Sequence, residues 1–506
     1  MLHVSIFIEL LRSQPRVTFW VATLAQAAVW WLVPSIFYAA PPGDLPSVLA
    51  MGHEFQLGSW QGPPLAFWLA EIAFRIAGLP GVYLLAQACV AVTYWAVFAL
   101  ARSIVGIHHA VIAVLLMIGI STMTLPTPDF GPSILAMPLA ALIVLHFWRA
   151  IGENRRTYWF LLAIEIGLLL LTTYAGLILL VLLIIFTGAT ERGRAILGTV
   201  DPWIAGVVIV VLLFPHLIWL DASTGGVVMP ALYRLRSVEA AEANLFIWLR
   251  MISAVLISHA GLAVLVGLAA GWWMHQREPV PTFVRGKISP FARQFVFFLA
   301  TTPVIIATLG AVILGERAPI GGLGPHVVLS GLAVVVAAGP MIEVHRQRIV
   351  GFAWGLLLLV PPAVAVIAIL ALPWTAGVEL RTALPARDMG RFFAETFERS
   401  TGKPLPIVTG DQRLAALVAI GARARPSVYD YLRPERTPWI DDEAIRRKGA
   451  IVVWRAADTS GTPPPDISAR FPELRAGLPR AFEHMIQGRL PLIRLGWGIL
   501  RPQTTP

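Results

Sequence analysis

Asp44 and Asp129, with Arg234, Arg236 and Arg317, are the side chains of this sequence best suited to chemistry. A carboxylate of this kind takes a proton from an attacking hydroxyl or amine as a general base. Guanidinium groups grip phosphate oxygens in pairs. Together they suit transfer of a group carried on an anionic, phosphate-linked donor. His53, Glu54 and Trp60 share a stretch with Asp44, and His326 follows Arg317, so these four are candidate substrate-binding residues. Plainer readings compete. Each aspartate precedes an expected helix, and capping rivals catalysis evenly. The arginines also suit lipid headgroup anchoring, and His53 with Glu54 suits a simple loop. No nucleotide-binding glycine loop is present. No histidine pair has metal-ligand spacing on a helix; no cofactor is expected, with a bound metal ion as the open alternative.

The elements that must position these residues follow from the charge. Of 506 residues, 57% are hydrophobic and 13% charged, with a mean hydropathy of +0.73. A soluble domain carries about 25% charge, which excludes a disordered chain and an ordinary soluble enzyme. Residues 379–506 hold 34 charges and residues 1–378 hold the other 34. The expectation is a polytopic membrane domain over 1–378 and a water-facing domain over 379–506. The single cysteine, Cys89, excludes an internal disulfide. The net charge of +10 belongs to topology and anionic headgroups rather than nucleic acid, because its basic residues alternate with apolar spans.

Eleven apolar segments of roughly spanning length are read at 17–38, 81–104, 108–126, 131–149, 157–172, 174–190, 202–220, 245–274, 293–314, 326–343 and 349–373. The shorter stretch 64–78 carries Glu71 and Arg75 at i,i+4 spacing and reads as an interfacial helix with a paired carboxylate. One set of loops holds 14 basic residues; the opposite set holds only Arg75, Arg234, Arg236 and Arg317. The positive-inside rule puts the first set in the cytoplasm. An odd number of spans then puts the C-terminal domain outside, with the N-terminus cytoplasmic. All the candidate residues above fall on the outer side. Within the spans, Glu165, His216 and His259 are costly in lipid and are functional candidates, although an interhelical hydrogen bond is the commoner fate of a lone histidine.

The C-terminal segment alternates strand and helix. Strands are expected at 405–409, 427–432, 450–455 and 490–500, with helices after Asp411 and Asp441 closed near Gly421 and Gly449. That alternation predicts a small α/β layer with a parallel sheet.

The first outer loop carries a resemblance. Asp44, then Glu54, then Pro63-Pro64-Leu65-Ala66-Phe67-Trp68-Leu69 resembles bacterial glycosyltransferase family 39. This superfamily includes protein O-mannosyltransferases and the aminoarabinose transferase that acts on lipid A. Asp129, Thr172-Thr173-Tyr174-Ala175-Gly176, Phe214-Pro215-His216-Leu217-Ile218-Trp219 and Arg234 match further family features in order. The resemblance implies an all-α GT-C membrane domain of about eleven helices in a bacterial inner membrane. It implies a polyprenyl-phosphate sugar donor, a lipid or glycan acceptor, Asp44 as base and Asp129 in support. Arg234, with Arg236 and Arg317, would neutralise the leaving phosphate. This chain departs from the family at Gln61-Gly62 and Thr173, where relatives have lysines, and it lacks the histidine that supplies a metal ligand before Arg234. Two rivals accompany the transferase reading: a transporter or flippase of lipid-linked substrates, and an inactive homologue that binds polyprenyl lipid.

Overall fold

The computed structural model describes residues 2–224, 245–271, 280–456 and 458–503. It divides into two compact units, Met1–Trp31 with Leu84–Pro362, and Leu32–Tyr83 with Ala363–Pro506.

The first unit is helical. Each of the eleven apolar segments contains a helix, and segment 326–343 ends in a strand, but not all of these helices are long enough to cross a bilayer alone. Among the described residues six helices are: Pro15–Phe37, Leu65–Val105, Pro132–Gly152, Asp201–Ala222, Pro290–Ile313 and Gln347–Thr375. Two bent pairs bring the number to eight, Gly176–Ala189 with Glu191–Leu197 and Leu245–Ser258 with Ala260–Ala270. Segments 108–126, 157–172 and 326–343 hold only the short apolar helices Ile107–Met117, Tyr158–Leu170 and Gly324–Ala337. The helix through Asp201–Ala222 leaves Val207, Val211, Phe214 and Ile218 more than half exposed, the face a lipid-contacting helix presents. Where helices meet, small residues allow close approach. A Cβ on Gly331 would lie 2.1 Å from the Ala113 carbonyl oxygen, and one on Gly119 would lie 2.2 Å from the Leu262 nitrogen. Phe147, Trp148, Phe186, Phe291 and Phe295 interlock as an aromatic cluster. A two-stranded antiparallel ribbon joins β1 (Thr282–Val284) to β2 (Met341–Glu343).

The second unit combines the loop 41–80 with the C-terminal sheet. The interfacial helix expected at 64–78 runs from Leu65 to a break at Ala77–Gly78, where Gly78 takes φ +63°. Beyond the break the spanning helix continues to Val105. The sheet contains β3 (Ile407–Gly410), β4 (Ser427–Tyr429), β5 (Ala450–Arg455), β6 (Arg475–Ala476), β7 (Arg480–Phe482) and β8 (Ile493–Leu500). Its order is β4-β3-β5-β8-β6, with β7 also on β8.

The expected parallel sheet is half right. β3 pairs parallel with β4 and β5, but β8 runs antiparallel to β5, β6 and β7, so the sheet is mixed. A strand can return antiparallel without a crossover helix, and none intervenes between β7 and β8. The caps are as expected: Asp411 accepts from the Leu414 amide at 2.9 Å and Asp441 from the Ala444 amide at 2.6 Å. Gly421 does not terminate its helix in a left-handed conformation; it is the last residue of Gln412–Gly421. Its glycine identity serves packing, since a Cβ there would lie 1.9 Å from the Ala386 carbonyl oxygen. That contact brings the helix Ala386–Thr401 against Gln412–Gly421 over a core of Met389, Phe393, Phe397 and Leu417.

Candidate functional site

Asp44 immediately precedes the first-loop helix Leu45–His53, whose buried face is Leu45, Val48, Leu49 and Met51. Pro46 fits the first turn, where no amide partner is needed. Asp44 stands at the capping position, yet its side chain makes no capping hydrogen bond, and the residue is exposed. The capping reading therefore fails for its carboxylate. Arg413 donates to the carbonyl of Gly43 at 2.9 Å, so the backbone beside Asp44 is tied to the helix Gln412–Gly421.

Behind this helix lies a buried carboxylate. Glu71 is 1% exposed and accepts from Arg75 Nε at 2.9 Å, from Arg425 Nη2 at 2.6 Å and from His53 Nδ1 at 3.3 Å. The i,i+4 partner foreseen for Glu71 is present, with two more beside it. A carboxylate this buried keeps its charge only when so surrounded. Burial pulls the Arg425 guanidinium below its ordinary value, and Glu71 acts in the opposite direction. Arg425 also stacks on Phe74 at 4.4 Å and adopts φ +49°, uncommon for a residue with a side chain. His53 is thus a brace of this cluster. Glu54 keeps one buried carboxylate oxygen, Oε1, with no hydrogen-bond partner among the described residues. Trp60 is 48% exposed and carries the Arg436 guanidinium 3.8 Å over its ring. Trp68 donates to the Gln56 carbonyl at 2.9 Å, closing the loop before the Pro-Pro pair.

A cavity of about 930 Å³ opens in the same unit. Pro34, Tyr38, Phe74 and Leu79 line one part of it; Arg387 and His484 line another. Its wall includes the Ala77–Gly78 break but not Asp44.

The remaining candidates lie in the first unit. Asp129 does not cap the following helix, Pro132–Phe147, whose capping residue is Gly131. Its loop is pinned by three polar side chains that carry no motif. Gln87 donates to Thr127 at 3.1 Å; Gln26 donates to the Met123 carbonyl at 2.6 Å and accepts from Tyr94 at 2.9 Å. Arg317 is exposed, whereas His326 is 8% exposed and bonded to the Ile320 carbonyl at 2.8 Å, which makes it a brace of its own loop. Arg234 and Arg236 lie outside the described residues.

The three ionisable residues singled out within the apolar segments, Glu165, His216 and His259, are each engaged. Glu165 takes His146 Nδ1 at 2.7 and 2.9 Å. His216 meets the Tyr174 hydroxyl at 3.1 Å, and His259 bonds Ser330 at 2.9 Å. Thr173 accepts from the Ala175 amide at 3.2 Å and shapes the break between two helices. Among the described residues no three His, Cys, Asp or Glu side chains gather as a metal site.

Residues 61–219 match the family model described as dolichyl-phosphate-mannose-protein mannosyltransferase, so the resemblance seen in the first outer loop is borne out. A comparison with curated proteins finds no match. Among solved structures, ArnT from Cupriavidus metallidurans bound to undecaprenyl phosphate is similar over 97% of this chain and 100% of its own, with 12% identity and a TM-score of 0.51. The archaeal oligosaccharyltransferase AglB from Archaeoglobus fulgidus, in complex with an inhibitory peptide and a dolichol-phosphate, aligns over 83% of this chain and 65% of its own, with 14% identity and a TM-score of 0.44. The fold is the GT-C arrangement of a helical membrane domain with a small C-terminal sheet domain.

Proposed function

We propose that this chain is a multi-pass membrane glycosyltransferase that moves a sugar from a polyprenyl-phosphate carrier to a lipid or glycan acceptor. The reaction would take place on the outer face of a bacterial inner membrane. The acceptor oxygen attacks the anomeric carbon and the bond to the carrier phosphate breaks. Asp44 takes the acceptor proton, and the phosphate leaves with the bonding electrons. Arg317, with Arg234 and Arg236, offsets the charge on the departing phosphate, and Asp129 supports the acceptor side.

The observation that carries this reading is the match of residues 61–219 to the mannosyltransferase family model, on a fold similar to that of ArnT. Asp44 leads a helix anchored by Arg413 and the Glu71 cluster. The fold, shared with ArnT along almost the whole chain, supports the donor class, because that protein binds undecaprenyl phosphate.

Purified protein incubated with radiolabelled polyprenyl-phosphate sugars and envelope lipids should yield a labelled product. Asp44→Asn should reduce the rate by at least about a hundredfold, the low end of a general-base contribution. A fully active Asp44→Asn protein would remove the mechanism. Labelled donor retained without turnover would favour the inactive lipid-binding reading, and donor movement across vesicles without product would favour a flippase.

A further inference from the structure

A second concave site lies in the C-terminal sheet domain, among residues to which the transfer reading assigns no role. Arg446 from the helix Asp442–Lys448, Arg470 from the end of Pro465–Arg470, Arg475 from β6 and Arg501 beyond β8 line one cavity of about 540 Å³. Part of its wall is apolar, with Phe471 and Leu500 both buried there. A cavity of this size holds a sugar or a headgroup.

The charges on the lining do not cancel. Its two carboxylates are already engaged: Asp442 accepts from Arg470, and Glu473 accepts from Gln503 at 3.0 Å. Arg470 is further held by donating to the Tyr429 hydroxyl at 3.0 Å. Arg446, Arg475 and Arg501 form no ion pair among the described residues. A C-terminal helix end explains a basic residue at Arg446 and at Arg470 through the helix dipole. It does not explain Arg475 in a strand or Arg501 after one. Arginines that line one cavity from separate elements suit the oxygens of a phosphate, which accept paired N–H donors.

We propose that this cavity binds a phosphate monoester, carried either on a free or glycan-linked sugar or on a lipid headgroup. The proposal does not depend on the transferase reading, because its readout is binding.

The full chain in phosphatidylcholine nanodiscs is titrated calorimetrically with glucose 1-phosphate, with short-chain phosphatidic acid and with glucose. Saturable binding of at least one phosphorylated probe and none of glucose is expected. Arg475→Ala and Arg501→Ala should each weaken binding about tenfold, as loss of a charge-assisted hydrogen bond does. Arg501→Lys should recover only part of the loss. The probe that binds identifies the source, sugar phosphate or headgroup. Glucose binding as tightly as its phosphate, unchanged affinity in the arginine variants or no binding of either phosphorylated probe would overturn the proposal. Arg501 is exposed and follows the last strand, so its variants test the site even if Arg475→Ala disturbs β6.

Discussion

Arg425 Nη2 lies 2.6 Å from Glu71 Oε2, joining residues 354 positions apart in the sequence. Both side chains are largely buried, 15% and 1% exposed. Removing one member of such a pair leaves the other charged and unsolvated, at a cost of about 3–5 kcal/mol. Arg425→Ala and Glu71→Gln should each destabilise the unit that holds Asp44 by that order. Arg75→Ala, which removes a half-exposed partner, should cost no more than about 1 kcal/mol. Denaturant unfolding of the full chain in nanodiscs, read by a probe in the C-terminal domain, checks the ranking.

His146 and Glu165 form the corresponding pair inside the apolar helices, at 2.7 Å. A transporter would use such an ionisable pair in its cycle; a transferase built around Asp44 would need it only for packing. His146→Leu or Glu165→Leu alone should destabilise by about 3–5 kcal/mol, whereas the double variant should approach the parent in stability. Sugar transfer by the double variant should persist. A double variant that folds as well as the parent but transfers nothing would move the chemistry to this pair.

The sheet domain has its own pH dependence. The Tyr431 hydroxyl donates to Asp466 and holds that carboxyl below its ordinary value. Because the folded value is depressed, the unfolded chain takes up more protons as the medium acidifies. The stabilisation is present above the ordinary carboxylate range and is lost as pH falls through the folded value. Tyr431→Phe should lower stability at neutral pH, and the gap from the parent should close in acid. Thermal unfolding of both proteins across that range measures it.

The apolar segments and the helix caps at Asp411 and Asp441 were legible because periodicity, hydropathy and capping are local properties of the chain. The loop 41–80 stood out because its charged and aromatic residues interrupt long apolar runs. Arg413 and Arg425 gave no signal, since each is one of many arginines in a charged domain and acts on residues far away in sequence. Gln26, Gln87 and Tyr94 were equally silent. A polar residue within a span marks a cost but not the partner that meets it. Gly421 misled for a related reason: a glycine near a helix end fits a left-handed cap and a close helix crossing equally well, and only the neighbour at Ala386 decides. The antiparallel pairing of β8 with β5 is a long-range contact that strand pattern does not reveal, and the short β6 and β7 beside it have too few residues to show a strand pattern.

Asp44 and Asp411 occupy the same position relative to a helix and should answer mutation in opposite ways. Asp411 accepts from the Leu414 amide at 2.9 Å, and Asp411→Ala should cost about 1 kcal/mol through loss of that cap. It should leave the rate of transfer per folded molecule unchanged. Asp44 does not cap its helix, so Asp44→Asn, which keeps the side-chain shape, should not repeat the cap loss of about 1 kcal/mol. Its loss should appear in kcat, because a general base acts on the transition state rather than on ground-state binding. Unfolding curves and steady-state kinetics on the two variants, side by side, separate a cap from a base. If Asp44→Asn unfolds as readily as Asp411→Ala and keeps its kcat, Asp44 is a structural residue and the base lies elsewhere.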